Sequence, residues 1–191
     1  MTARIACVLL ALVLAGCGPQ GANIFTNYSS STFGFSVQLD DDLERAGWGV
    51  IDAENATVRH TFTPPDTSTW EAVAVVVPPG SSFPLLSPLF IDIFNVKVPE
   101  ATALSLADDT ANRLGDRVLS RQTLDAGGVA LAQIVHGAGD DINYETYAVG
   151  NGLGYAFLAQ GAPITSAAAN FRLDTVTYDR VARSLRLTPP R

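Results

Sequence analysis

Alternating apolar and polar residues open the folded part of the chain. In residues 33–39, FGFSVQL, every second residue is apolar, which predicts a strand with one buried face. Further short strands are predicted at WGVID (48–52) and ATVRHTF (56–62), on either side of a polar turn. The segment WEAVAVVV (70–77) is almost continuously apolar, which favours a central strand covered on both faces.

Two later segments show the three-and-four spacing of an amphipathic helix. The first, LADDTANRLGDRV (106–118), follows Ser105, and Asp108 lies three residues on in the spacing of a capping box. A closing helix is predicted with Asp174 or Thr175 as its cap. The apolar face of this closing helix consists of Val176, Tyr178, Val181, Ala182 and Leu185.

Between the two helices the pattern returns to strands joined by turns. VLSRQTL and VALAQIVHG flank the turn DAGG (125–128), and NYETYAV and LGYAFLA flank GNG (150–152). Glycine takes the positive φ that such turns need, so we predict two antiparallel hairpins. The glycine-rich GNGLG (150–154) is also interpreted as a turn. A nucleotide-binding glycine loop would be followed by a helix, whereas a predicted strand follows here.

Runs of strands with helices segregated between them predict one α+β domain, residues 33–188, with a mainly antiparallel sheet flanked by helices. The opening FGFSVQL strand, the early Trp48, the VAVVV strand, the mid-chain helix, the paired hairpins and the closing ARSLRL together resemble the PsbP-like family. The resemblance implies an α/β/α sandwich and a non-catalytic binding or assembly role, and it carries over no site residue. This chain departs from the family pattern at 83–99 and in the alanine-rich stretch 166–170.

The N-terminal residues 1–16 have the proportions of a secretory signal peptide. Arg4 precedes twelve apolar residues, 5–16, a run that is too short for a bilayer-spanning helix, which needs about 20. Leu14-Ala15-Gly16-Cys17 resembles the lipobox of bacterial lipoproteins. The resemblance implies cleavage between Gly16 and Cys17 and a diacylglycerol thioether on Cys17, which would attach the protein to a membrane. Residues 17–32 are then expected to be the lipidated cysteine and a flexible tether.

Cysteine usage and charge narrow the possible activities. Cys7 and Cys17 are the only cysteines, and both lie before residue 18, so the folded domain has no thiol for a disulfide, a zinc cluster or a cysteine nucleophile. The formal net charge of −7 argues against a nucleic-acid partner. No metal or other cofactor is expected.

Few residues suggest acid–base chemistry. The two histidines are His60, expected to point inward in a strand, and His136, expected on the surface at the end of a strand. No G-x-S-x-G motif accompanies them, so a hydrolase is only a minor alternative. The acidic residues 40–44 and Asp140–Asp141 lack the spacing of a calcium loop and are expected to be solvated turns, although the two clusters are free to meet in space.

The apolar segment FPLLSPLFIDIFNVKVP (83–99) is the main candidate for binding. Ser87-Pro88 suits a helix start, whereas the Ile, Phe and Val residues suit a strand equally well, so its type stays open. It either covers the core or forms a contact for a protein partner or a hydrophobic ligand. The candidate contact residues are Phe83, Leu86, Leu89, Phe90 and Phe94.

These features together predict a monomeric, lipid-anchored binding or assembly protein of the bacterial cell envelope, without catalytic activity. Its expected contact is a membrane-associated protein, and the alternative is a carrier that holds a small hydrophobic ligand between the sheet and segment 83–99. Gly18 is not the aspartate that retains lipoproteins at the inner membrane, which by that family's sorting rule implies the outer membrane in a cell with two membranes.

Overall fold

A computed structural model describes residues 25–52, 67–77, 89–96, 99–138, 141–160 and 175–189. The described residues form three α-helices and ten strands. In chain order these are β1 Asn27–Ser30, β2 Phe35–Gln38, α1 Asp41–Arg45, β3 Gly49–Asp52, β4 Thr67–Val77, β5 Leu89–Val96, α2 Ala103–Leu114, β6 Val118–Asp125, β7 Ala130–Ala138, β8 Asp141–Gly150, β9 Leu153–Gln160, α3 Thr175–Ala182 and β10 Leu185–Leu187.

The strands form two antiparallel sheets. The larger sheet has seven strands in the order β3-β4-β5-β9-β8-β7-β6, and the smaller has three in the order β1-β2-β10. The α+β class with a mainly antiparallel sheet is therefore confirmed, as are both hairpins. In the β8–β9 turn, Asn151 and Gly152 have φ values of 54° and 75°, the positive pair that a two-residue hairpin turn requires.

The large sheet buries both of its faces. Side chains alternate along each strand, so neighbouring residues of β9 enter different cores. Tyr155 and Phe157 belong to the core under the small sheet and α3, whereas Ala156 and Leu158 belong to the core under α2. The domain is thus layered, with α2 on one side of the large sheet and the small sheet with α3 on the other.

Both amphipathic helices are present, with corrected ends. Thr102, not Ser105, caps α2: its Oγ1 accepts from the Ser105 amide at 3.1 Å, and Ser105 Oγ accepts from the Thr102 amide at 2.9 Å. Asp108 has no part in the cap and pairs instead with Arg121 at 3.1 Å. The sequence misplaced the start by one turn because Thr102-x-x-Ser105 also satisfies the reciprocal capping geometry.

The closing helix has a narrower apolar face than the spacing predicted. Tyr178, Val181 and Ala182 are fully buried, but Val176, in the first turn, is 70% exposed. Leu185 is buried as a residue of β10, after the helix has ended. The cap candidate Asp174 lies outside the described residues, and Thr175 is the first residue of α3.

Residues 25–32, expected to belong to a tether, are part of the folded domain. Strand β1 pairs antiparallel with β2, and Phe25 exchanges backbone hydrogen bonds with Val50 at 2.8 and 2.7 Å. The ring of Tyr28 lies 5.8 Å from that of Phe35. A polar, serine-rich stretch concealed this strand, because an edge strand needs backbone pairing more than an apolar face.

The described part of segment 83–99 is a strand rather than a helix. Strand β5 lies between β4 and β9, inside the large sheet. Its backbone is hydrogen-bonded on both sides, so residues 89–96 are an integral part of the sheet. The strand predicted at 56–62, including His60, lies outside the described residues. Within the described helices, none has the length and apolar character needed to cross a bilayer.

Candidate functional site

The site residues predicted from the sequence are Gly16 and Cys17, for cleavage and lipidation, and five apolar contact candidates. Gly16, Cys17, Phe83 and Leu86 lie outside the described residues. The remaining three contact candidates, Leu89, Phe90 and Phe94, lie in β5.

Leu89 has no exposed surface and belongs to the core under the small sheet. The backbones of Phe90 and Phe94 pair with Leu158 and Gly154, while their side chains lie outside what the structure describes. Leu89 is therefore a core residue, and the contact prediction stays untested at the other positions.

A network of titratable side chains lies between β7, β8 and α2, where the sequence pattern did not predict one. Glu145 and Tyr147 are two apart on β8 and therefore share the face that α2 covers. His136 reaches the same face from β7, where Ile134 is the cross-strand neighbour of Glu145. Thr110 enters from the buried side of α2.

Hydrogen bonds run through this network toward the Glu145 carboxylate. Tyr147 donates its hydroxyl proton to Glu145 Oε2, and the tyrosine oxygen lies 3.1 Å from Thr110 Oγ1. Since the tyrosine has one proton, Thr110 donates to it and in turn accepts from Arg113 Nη2 at 3.2 Å. His136 Nε2 lies 2.8 Å from Glu145 Oε1, and a carboxylate only accepts, so that nitrogen carries the proton.

The network keeps a carboxylate inside the domain. Glu145 is 6% exposed, and a buried charge of this kind is tolerated only with hydrogen-bond partners on its oxygens. Burial and, next, the charge of Glu145 raise the pKa of Tyr147 well above its ordinary value, so the hydroxyl stays protonated as a donor. These hydrogen bonds fix α2 to the sheet, and they orient the side chains of the network toward one another.

The expectation that His136 is an ordinary surface residue is wrong. Its side chain is only 12% exposed, because β7 continues to Ala138 and the imidazole bonds to the buried Glu145. The sequence pattern did not single out Glu145, Tyr147 or Thr110 either. The glutamate in NYETYAV could have indicated the network, since a glutamate within a buried strand needs a partner.

A second polar cluster joins α3 to the opposite face of the large sheet. Gln133 and Thr146 are buried neighbours on β7 and β8. Gln133 Nε2 donates to Asp179 Oδ1 at 2.7 Å and to Thr146 Oγ1 at 3.3 Å. The Tyr178 hydroxyl donates to the Phe157 carbonyl at 2.8 Å. These bonds fix the helix across the middle of the sheet.

The acidic residues 40–44 are exposed, as predicted, but they form the start of α1 rather than a simple turn. Asp40 is the N-cap, and its carboxylate accepts from the amides of Asp42 and Leu43. Arg180 of α3 donates to Asp40 and Asp42 at 2.6 and 2.8 Å. Burial works against the charge of Asp40, but the Leu43 amide and Arg180 outweigh it and lower the pKa of the carboxyl.

Of the second acidic cluster, Asp140 and the side chain of Asp141 lie outside the described residues. Within the ranges that are described, no group of three or more His, Cys, Asp or Glu side chains is placed to hold a metal ion.

We expect stability to fall in alkaline solution because of the buried tyrosines. Burial raises the pKa of Tyr178 and of Tyr147 well above 10, and burial also raises that of Tyr155. A raised folded pKa gives stability that is complete below the unfolded value of about 10 and is lost as pH rises toward the folded value. Denaturant unfolding between neutral pH and the alkaline range measures this loss.

The variant Tyr178→Phe is expected to reduce the alkaline slope of the free energy of unfolding, because one of the groups that ionises on unfolding is gone. Since Tyr178 also bonds Phe157, the variant is compared by slope rather than by absolute stability. An unchanged slope would show that Tyr178 does not contribute.

Comparison with known proteins gives a structural likeness. No protein-family model matches the sequence, and a search of curated proteins gives no match. Among solved structures, the chain is similar to the solution structure of cyanobacterial PsbP (CyanoP) from Synechocystis sp. PCC 6803. The TM-score is 0.46 at 14% sequence identity, covering 91% of this chain and 98% of that chain.

Proposed function

We propose that this protein is a lipid-anchored, extracytoplasmic binding or assembly domain without catalytic activity, and that it contacts a membrane-associated protein in the bacterial envelope. The observation that carries the proposal is the tetrapeptide Leu14-Ala15-Gly16-Cys17 directly at the end of the apolar run. Position, order and length of the run all agree with a lipoprotein signal. Lipid on Cys17 would hold the domain at a membrane surface, since two acyl chains give stable anchoring where one gives only marginal binding.

The acid–base groups that the structure describes are engaged in contacts within the fold. This supports a binding role for the protein rather than a catalytic one. Glu145 and His136 bond each other, Tyr147 and Thr110 complete the network, and α2 covers it. The carboxylates of Asp40 and Asp42 are bound by Arg180 on the surface. Each group therefore has an evident role in joining elements of the fold.

The alternative of a hydrophobic-ligand carrier depends on segment 83–99. Leu89, Ile91 and Ile93 of this segment are packed in the core with Tyr155 and Phe157. Because these residues belong to the sheet itself, a ligand at their position would have to displace them from the core. The protein-partner proposal is therefore preferred.

The anchor is tested by Cys17→Ser, with Cys7→Ser as the matched control. The serine hydroxyl forms no thioether, so Cys17→Ser should lose fatty-acid labelling and leave an uncleaved or soluble species. Cys7 lies in the apolar run, and Cys7→Ser should be labelled and fractionate like the unsubstituted protein. Crosslinking in intact membranes should then capture the same envelope protein with the unsubstituted chain and Cys7→Ser, and lose it with Cys17→Ser.

Labelling of Cys17→Ser at the unsubstituted level would refute the lipid anchor. Normal labelling with no crosslinked protein would refute the partner and leave the anchor intact.

A further inference from the structure

Three arginines at intervals of three residues lie in α3, in the turn after it and in β10, and they differ in how their charge is balanced. Arg180 is paired with two carboxylates, those of Asp40 and Asp42. Arg183 and Arg186 have no carboxylate partner among the residues that the structure describes. Their bonds go to backbone carbonyls: Arg183 Nη1 to Asp125 at 2.9 Å, and Arg186 Nη1 to Ala126 at 3.3 Å and to Arg183 at 2.7 Å.

These bonds position the two guanidinium groups without neutralising them. Only Nη1 of each group is engaged within the described part of the chain, which leaves Nε and Nη2 of both as donors. Those two nitrogens form the fork that binds two oxygens of one phosphate or carboxylate. Arg183 is exposed and Arg186 is half-buried, so the fork of Arg183 is open to solvent.

The β6–β7 turn leaves space beside the arginines. A Cβ added at Gly127 would lie 3.5 Å from Arg186 Cζ, so the guanidinium packs against bare backbone there. A Cβ added at Gly128 would meet nothing within 4 Å. The nearby Asp125 carboxylate accepts from the amides of Gly127 and Gly128 and is thereby held on its own turn.

The position of the pair relative to residue 17 bears on which anion it can meet. Arg186 is in register with Ser36, which is in register with Ser29 two strands away, about 10 Å across the small sheet. Phe25 lies two residues before β1, and the eight residue steps from Cys17 to Phe25 span at most about 28 Å. A lipid on Cys17 therefore keeps the small sheet close to the headgroups.

We propose that Arg183 and Arg186 bind the phosphate of a phospholipid headgroup and orient the domain on the membrane that carries its anchor. The inference rests on the proposed lipid anchor. The group that the two arginines would bind is a phosphate oxyanion. Because the domain as a whole is acidic, it is not attracted to an anionic membrane overall. The two arginines therefore only orient a protein that the lipid on Cys17 already holds at the membrane.

The test uses the lipidated chain, residues 17–191, in nanodiscs of phosphatidylcholine with a minority of phosphatidylglycerol and a headgroup spin label. The amide NMR signals of Gly127 and Gly128 should be broadened. In Arg183→Gln/Arg186→Gln, which keeps side-chain donors for the turn carbonyls but removes the charge, this broadening should be lost. Arg117→Gln, an exposed arginine of the same charge, is the matched control and should keep it.

Broadening that persists in the double variant, or none in the unsubstituted protein, would overturn the proposal. Inorganic phosphate provides the second arm: a phosphate-induced shift of the Arg183 and Arg186 Nε–H signals without nanodisc broadening would assign the site to free phosphate and also overturn it. Broadening that appears only when an acidic envelope protein is added would replace the lipid by a protein partner.

The mass of the peptide that contains Cys17 shows whether the lipid anchor is present, which separates failure of the anchor from failure of the phosphate site. If that peptide carries no lipid, bicelles of the same lipids are added to the full-length Cys17→Ser chain. A shift that depends on the two arginines then still supports the phosphate site, and no shift refutes it.

Discussion

Replacing Glu145 by alanine is expected to lower the free energy of unfolding by about 2–4 kcal/mol. The carboxylate is almost fully buried and accepts from Tyr147 and His136. Its removal leaves a cavity and takes the acceptor from both donors, and hydrogen bonds to charged groups are worth about 1.5–3 kcal/mol each. Denaturant unfolding at neutral pH measures the loss.

Glu145→Gln is the informative companion variant. The amide keeps the shape and one carbonyl acceptor but loses the charge, so its destabilisation should lie between zero and that of alanine. Leu104→Ala removes a side chain that is 53% exposed on α2 and should change stability by less than about 0.5 kcal/mol. If Glu145→Ala were as stable as Leu104→Ala, the network would not stabilise the attachment of α2 to the sheet.

The second large effect is expected in β5. Ile91→Asp should prevent stable folding, because residue 91 has no exposed surface and an aspartate there would be buried without a partner. A cost of several kcal/mol is comparable with the whole stability of a domain, about 5–15 kcal/mol. Ile91→Ala, which only creates a cavity, should cost about 2–5 kcal/mol and leave a cooperative thermal transition.

Val176→Asp is the control for the charge. This position is 70% exposed on α3, so the same substitution chemistry should leave the melting temperature nearly unchanged. A folded Ile91→Asp protein with a melting temperature close to that of Val176→Asp would show that β5 is not packed in the core. It would also restore the surface interpretation of segment 83–99 at the described residues.

Periodicity predicted the elements whose signal is local. The two hairpins were found because glycines stand at their turns, and the buried faces of α2 and α3 were largely found from apolar spacing. The α+β class followed from the order of these elements. The lipobox is also read from consecutive residues alone, and for that reason it stays a prediction about Cys17 that the fold does not test.

The tertiary structure decided what depends on partners distant in the chain. Strand β1 has a polar sequence, and its strand conformation comes from pairing with β2 and the contact of Phe25 with Val50. Segment 89–96 has a composition that fits helix and strand alike, and the neighbours β4 and β9 select the strand.

The polar networks show the same division. The sequence determined that Glu145 and Tyr147 share one face of a strand, because side chains alternate. It did not determine that Thr110, 37 residues from Tyr147, would meet that face, or that Arg180 would reach Asp40 across 140 residues while Arg183 and Arg186 would bond to backbone carbonyls. Local spacing fixes the direction of a side chain, whereas its hydrogen-bond partner is fixed only when distant elements pack together.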